Sequence, residues 1–358
     1  MFTPCCKIFT NVKFDEIIKA DFDEILFVTT FAIVKLFIAM KRNRYLLIFP
    51  LLALLSSCLS SPKMQSQADF KVMTFNIRYD NPADSLNGWK NRAENVAHAM
   101  LYYDADIIGT QEVLHNQFVD LKQQIGDTYA VIGLGRDDGA AKGEYAALWY
   151  KTSRFELCDS GHFWLSETPE EAGSIGWDAA CVRIATWGVL RDKTSGRELL
   201  ALNTHFDHVG QTARYKSAEL ILYRADSISQ GRPVIVTGDF NANPESSVVQ
   251  QITNRDNPKW LSDTRIDSSI KHGPQWSYHG FFKLPLDERQ LIDYIFYRGA
   301  LVTHSYGVIA ELDNHGRPLS DHCPVLVTMK WTENYWPVTA IRLAGDVSSM
   351  PSIVSVAR

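Results

Sequence analysis

Five places in this chain end an apolar, β-branched run in an acid, an amide or a histidine. They are Asn76 in TFNIRYD, Glu112 in GTQEV, His205 in LNTHFDH, Asp239 with Asn241 in GDFN, and Asp321 with His322 in SDHCP. A sixth residue, Asp293 in LIDYIF, lies inside such a run, where an unpaired carboxylate would be costly. Carboxylate and amide oxygens without thiolates suit a hard divalent cation such as magnesium or manganese. Two histidines beside them suit charge stabilisation or proton transfer near neutral pH. Each residue alone has a plainer reading. Asn76 reads equally as a turn former, Glu112 as a helix cap, the histidines as satisfied structural groups and Asp293 as half of a buried ion pair. In PVIVTGDFNANP, Val234–Val236 reads as a strand buried on both faces. An ordinary Asx turn would account for the Asp, Asn and Gly that follow, and Asn243 is read as such a turn residue.

The elements that must position these residues follow from periodicity. Besides the Val234 run, strands are expected at Phe70–Ile77, Ala105–Gly109, Tyr129–Gly133, Ala146–Tyr150, Phe155–Leu165 and Val182–Leu190. Others are expected at Glu198–Asn203, Leu291–Tyr297, Leu301–Ile309 and Pro324–Trp331, with DKTSG at Asp192–Gly196 marking a hairpin. Helices are expected at Trp89–Tyr103, His115–Gln124, Thr212–Ser229 and Ser246–Asn254, and Asn257–Lys283 reads as loop. Trp89, Trp177, Trp276 and Phe281 fall at loops, where exposed aromatics can stack on a sugar or base. Helices alternate with strands early in each half and hairpins dominate later. That order implies an α/β (α+β) sandwich of two packed mixed sheets flanked by helices, one domain over residues 70–331.

The ordered set TFNIR, QE, NTH, GDFN, IDYI and SDH resembles the endonuclease/exonuclease/phosphatase superfamily, also called the DNase-I-like fold, over nearly the whole domain. Any one motif is weak, but six in family order are specific. The resemblance implies a four-layer sandwich and metal-assisted in-line attack of water on a phosphoester, with Mg2+ or Mn2+ as cofactor. By position it makes Asn76, Glu112 and Asp321 metal-binding residues, Glu112 the principal one. Asp239 and Asn241 match the pair that positions and activates the attacking water and holds the phosphate. His322 matches the histidine on the scissile phosphate, Asp293 the carboxylate that orients it, and His205 a position near the leaving or non-bridging oxygen. Arg183 in CVRIATW resembles the family's phosphate-contacting arginine, with a surface salt bridge as its plainer reading. Arg78, two residues after Asn76, is a second candidate for substrate binding.

Charge and the N-terminus bear on partners and compartment. Seven of the 36 Lys/Arg and five of the 41 Asp/Glu lie in residues 1–57, so the remainder carries a formal charge of −7. That is a poor footprint for holding a long polyanion, so nucleic acid is not the favoured partner. Residues 40–58, MKRNRYLLIFPLLALLSSC, join a basic start to an apolar stretch and small residues before a cysteine. This reads as a lipoprotein signal peptide over 40–57, with Cys58 lipidated and holding the chain to a bacterial membrane outside the cytoplasm. The stretch is too short, and broken by Pro50, for a stable membrane span. A signal peptide belongs at a terminus, so residues 1–39 read as an over-called start or an unstructured leader. Residues 58–69 read as a flexible linker, and 332–358 as a tail without fixed structure. Cys158, Cys181 and Cys323 remain, an odd number that implies no disulfide framework, and their default reading is buried apolar.

These features favour a monomeric phosphatase or phosphodiesterase acting on small extracytoplasmic phosphorylated substrates. An extracytoplasmic nuclease is the alternative, and a non-catalytic tethered binding protein the third reading, because the fold does not choose among them.

Overall fold

Neighbouring side chains on one strand enter different cores. Along Phe70–Asn76 (β1), Val72 turns into a core between two sheets, while Met73 turns into one shared with helices. Strands covered on both faces are apolar throughout, which is why the sequence shows runs rather than alternation. A computed structural model describes residues 69–332. After β1 come α1 (Ala93–Tyr103), β2 (Ile107–Val113), α2 (His115–Ile125), β3 (Tyr129–Ile132), β4 (Tyr145–Lys151), β5 (Phe155–Trp164), β6 (Ile184–Asp192) and β7 (Glu198–His205). The second half holds α3 (Gln211–Ser229), β8 (Val234–Asp239), α4 (Ser247–Thr253), β9 (Ser262–Asp263), α5 (Thr264–Asp267), β10 (Ile270–His272), β11 (Asp293–Arg298), β12 (Leu301–Val308) and β13 (Val325–Trp331).

One sheet has the order β10-β12-β13-β1-β2-β4-β3 and the other β5-β6-β7-β8-β11-β9. Helices α1 and α2 cover the first sheet through Val96, Met100, Leu121 and Ile125. Helices α3 and α4 cover the second through Ile221, Leu222, Val248 and Ile252. Phe70, Ile107, Leu148, Leu199, Ile235, Ile295 and Val327 fill the space between the sheets. The result is the expected four-layer sandwich.

Strand direction gathers the chemistry at one end. β1 pairs parallel with β2, and β7 with β8, so their C-terminal ends lie side by side. β11 runs antiparallel to β8 and starts with Asp293 opposite Asp239, while His205 lies opposite Asp239 on the other side. β13 is antiparallel to β1, which places the His322 segment beside the end of β1. Deeper in, Gln111 Nε2 donates to Asn203 Oδ1 at 2.7 Å, bridging the two sheets, and Thr237 Oγ1 donates to the same oxygen at 3.0 Å from the next strand of the second sheet.

Several expectations need correction. The second strand does not stop at Gly109; it runs to Val113, with a bulge between Thr110 and Val113 that takes Glu112 out of the ladder. The helix expected from Trp89 is a 3-10 turn, Trp89–Asn91, then a break at Arg92 before α1. The break lets the Arg92 guanidinium turn inward and donate to Ile77 O at 2.8 Å and Leu319 O at 2.7 Å. Asn257–Lys283 contains β9, α5 and β10, pieces too short to show periodicity. Trp89 is not an exposed loop aromatic, being 3% exposed with its Nε1 donating to Asp120, and Trp276 packs partly buried against the inter-sheet core. The three cysteines are free, but Cys158 is exposed and Cys181 half-buried; Cys323 alone of them is buried. The expectations for the start, the signal peptide, Cys58, the residues up to 68 and the tail from 333 fall outside the described residues. Among the described residues no helix is long and apolar enough to cross a membrane.

Candidate active site

Asn76 is the hub where the sheets meet. Its fully buried amide donates from Nδ2 to Glu112 Oε1 at 3.0 Å and to Asp239 Oδ2 at 3.0 Å, and stands 3.4 Å from His322 Nε2. Asn76 Oδ1 accepts the Arg78 backbone N–H, and Glu112 Oε2 accepts that of Tyr79 at 3.1 Å. Arg78, Glu112 and Asn241 all hold positive φ, at 60°, 61° and 46°, which non-glycine residues rarely adopt. Such backbone strain, about 1–3 kcal/mol each, persists where the surroundings impose it and marks functional positions.

The two histidines sit in opposite environments. His322 Nδ1 donates to Asp293 Oδ2 at 2.8 Å. Burial alone would lower its pKa, but Asp293 first, then Asp239 and Asp321, raise it to about 10, so the ring is an imidazolium at neutral pH. His205 is held well below its ordinary value by burial and by the nearby Arg183 and Arg136 charges, so its ring is neutral. Its Nε2 accepts from Asn241 Nδ2 at 3.1 Å and lies 3.4 Å from Asp239 Oδ2. Asn241 is fixed further by Nδ2 donating to Phe206 O, and its N–H by Asp239 Oδ1 at 2.9 Å. Burial and the Asp293 charge push Asp239 up to about 7, against the pull of His322.

Two residues that sequence reasoning did not single out belong here. Glu144 Oε2 lies 3.8 Å from His205 Nδ1, which has no hydrogen-bond partner. Arg136 grips Glu144 with two bonds, at 2.7 and 3.0 Å, while burial raises the Glu144 pKa. The available signal was position, since Glu144 directly precedes β4, at a strand end like the other site residues.

The remaining candidates divide. Arg183 is 4% exposed, which removes the surface salt-bridge reading. It stands 3.5 Å from Asp207 Oδ2 and 3.0 Å from His208 Nδ1, with Nη1 buried and unpartnered. Arg78 is engaged on the acidic flank. Its Nε donates to Asp84 at 2.9 Å, with Asp321 at 3.8 Å and Glu112 at 3.9 Å. Asp321 is turned toward Arg78 and Ser320 rather than into the cluster of Glu112, Asp239 and His322, whose ligand atoms all lie within 4.8 Å of one another. That cluster fits a divalent cation by chemistry, since Glu112 Oε1 and Asp239 Oδ2 converge on one point, where the Asn76 Nδ2 donor stands between them. Because His322 is cationic while bonded to Asp293, Glu112 and Asp239 are the residues to hold it; the expectation that Asn76 is a ligand is corrected, since its Nδ2 faces the two carboxylates and its Oδ1 is taken by the Arg78 N–H.

The family model described as the Endonuclease/Exonuclease/phosphatase family matches residues 73–322. A solved endonuclease/exonuclease/phosphatase from Bacteroides vulgatus is 42% identical with a TM-score of 0.71, covering 74% of this chain and 100% of that one. A mannosyl-6-phosphatase from Bacteroides thetaiotaomicron is 34% identical with a TM-score of 0.68, covering 73% of this chain and 100% of that one. Protein angel of Drosophila melanogaster is 24% identical over 199 residues, 51% of this chain and 55% of its own length. The chain spans about half the length of the curated relatives it matches. By sequence and by fold, this chain belongs to the endonuclease/exonuclease/phosphatase family, whose members are phosphoester hydrolases.

Proposed function

We propose that the chain is a divalent-metal-dependent phosphoric ester hydrolase acting on small phosphorylated molecules outside the cytoplasm. The observation that carries this reading is the Asp239 carboxylate, held by Asn76 between a neutral His205 and an Asp293-bound, cationic His322. A divalent cation held by Glu112 and Asp239 would neutralise charge that develops on the phosphoryl oxygens. The Asp239 carboxylate, fixed by the Asn76 amide and the Asn241 N–H, is placed to orient the attacking water and take its proton. His322 presents a charged Nε2–H to a phosphoryl oxygen, and Asp293 keeps that proton in place. Arg183 brings a second buried donor, Nη1, with Asp207 fixing the guanidinium from behind. His205 and Glu144 orient the Asn241 amide toward the same space.

The acidic chain beyond residue 57 supports a small substrate over a long polyanion. So does the likeness to a mannosyl-6-phosphatase. A panel of phosphate monoesters, diesters and plasmid DNA, with magnesium, tests the choice. Small esters are expected to turn over faster; DNA degraded faster than every small ester would overturn it. Lipidation at Cys58 is proposed as the tether. Labelled palmitate is expected to enter the wild type and not Cys58→Ala, and no incorporation in the wild type removes the anchor.

A further inference from the structure

Resting on that hydrolase reading, we propose that a cavity beside His322 takes the alcohol part of the substrate, and that this alcohol is a neutral, polyhydroxylated group, a sugar or short glycan. The cavity measures about 1050 Å³ and is bordered by Tyr278, Asn243 and Leu291. Tyr278 makes the contact with the site, and the other two are near neighbours of site residues in sequence. The Tyr278 ring lies 4.8 Å from that of His322, and its backbone bridges to His322 and to Gln290. Asn243 follows Asn241 by two residues, and Leu291 precedes Asp293 by two. A substrate whose phosphate lies at His322 would reach this space past Tyr278, the lining residue in contact with that ring.

The lining chooses the class of occupant. Arg265, Lys271 and Arg289 face the cavity, and so do Glu245, Asp287 and Glu288. Three cations and three carboxylates sum to no net charge, which offers nothing to a second phosphate or a polyanion. They also stand apart. Arg265 pairs with Asp263 outside the cavity, Lys271 donates to Ile266 O, and Arg289 donates to Leu284 O while its guanidinium lies 4.6 Å over Trp276. Among the described residues, Glu245, Asp287 and Glu288 have no side-chain hydrogen-bond or ion-pair partner. Unpaired carboxylates beside cations that each have further N–H groups to offer match hydroxyl groups, each of which donates and accepts. Tyr278 and Tyr306 add ring surface for the C–H face of a sugar. A lipid chain would need a predominantly apolar lining, which this cavity lacks. Its volume is at the upper end of the roughly 300–1,000 Å³ typical of small-molecule sites, so a residue linked to further sugars also fits.

The test uses the full chain with magnesium and two substrates, mannose 6-phosphate and p-nitrophenyl phosphate, whose good leaving group needs no contact. Lys271→Ala and Asp287→Ala are expected to raise KM for mannose 6-phosphate about tenfold, the loss of one hydrogen bond to a charged group. Values of kcat/KM on p-nitrophenyl phosphate are expected to stay within about twofold, since only uniform binding is removed. Equal changes on both substrates, or none on mannose 6-phosphate, overturn the sugar site while leaving the hydrolase reading intact. Faster turnover by the wild type of adenosine monophosphate or of a phosphoinositide in vesicles than of mannose 6-phosphate overturns the class of alcohol. A wild type inert on p-nitrophenyl phosphate overturns the hydrolase reading itself, and this inference with it.

Discussion

His322 and His205 carry the same ring in opposite protonation states, and the difference lies in their neighbours. Asp293 stands 2.8 Å from one ring, whereas the other faces Glu144 at 3.8 Å with Arg136 drawing that carboxylate away. Asp293→Asn removes the charge that keeps His322 protonated. It is expected to lower kcat/KM by about 10²–10⁴-fold, the range for a positioned acid or base. Adding His322→Asn in the same chain is expected to cost little more, because residues acting as a unit are not additive. Steady-state kinetics on the two single variants and the double variant check both points; losses that multiply would contradict the shared role. At this scale the sequence was most legible. Asn76, Glu112, Asp239, Asn241 and His322 end or begin apolar runs and Asp293 interrupts one, so their types stand out. Glu144 was not legible, because it reaches His205 only through the contact of β4 with β7 across the two sheets. Asp321 was legible as a polar strand end, but nothing in SDHCP foretold that Arg78 and Ser320 would claim its carboxylate.

Among elements, the two sheets approach each other closely beneath the site at Gly109. A Cβ on Gly109 would come within 2.1 Å of Thr237 Oγ1 and 2.3 Å of Asn203 Oδ1, so glycine is required by the inter-sheet bridge. Gly109→Ala is expected to destabilise the fold by about 1–3 kcal/mol, the usual cost of overpacking. A urea midpoint unchanged from the wild type would contradict that tightness. Arg92, 1% exposed, ties the β1–α1 loop to the segment before His322 through Ile77 O and Leu319 O. Arg92→Met leaves those carbonyls unpaired and is expected to cost about 3 kcal/mol, read by the same denaturation. The strands were legible because their apolar runs are long. The bulge at Glu112 and the break at Arg92 were not, because each is decided by one side chain's distant partner.

For the whole molecule, pH and metal should act on stability separately. Burial of His162, in β5, lowers its pKa from 6.5 to about 4. Between those values the unfolded chain binds more protons than the folded one, so this contribution is complete above about pH 6.5 and is lost as pH falls toward 4. His279, lowered to about 3 by burial, acts with the same sign. His162→Gln is therefore expected to flatten the decline of the urea midpoint between pH 6.5 and 4; an unaltered slope would contradict it. Magnesium is expected to bind the folded chain where Glu112 and Asp239 converge, and at a hundredfold excess over its Kd to add about 2.7 kcal/mol, seen as a raised Tm. The span of the two sheets was legible from the motifs, which run from β1 to the segment before β13. The cavity was not, because its walls come from separate segments that the fold alone brings together. The most direct test of the central claim is hydrolysis of p-nitrophenyl phosphate and bis(p-nitrophenyl) phosphate, with magnesium, by wild type and Asp239→Asn, both checked for folding by circular dichroism. The wild type is expected to turn over at least one ester, EDTA to abolish this, and the variant to lose about 10³-fold or more in kcat. A folded Asp239→Asn protein working within about tenfold of the wild type would contradict the role given to Asp239, and with it this reading of the site.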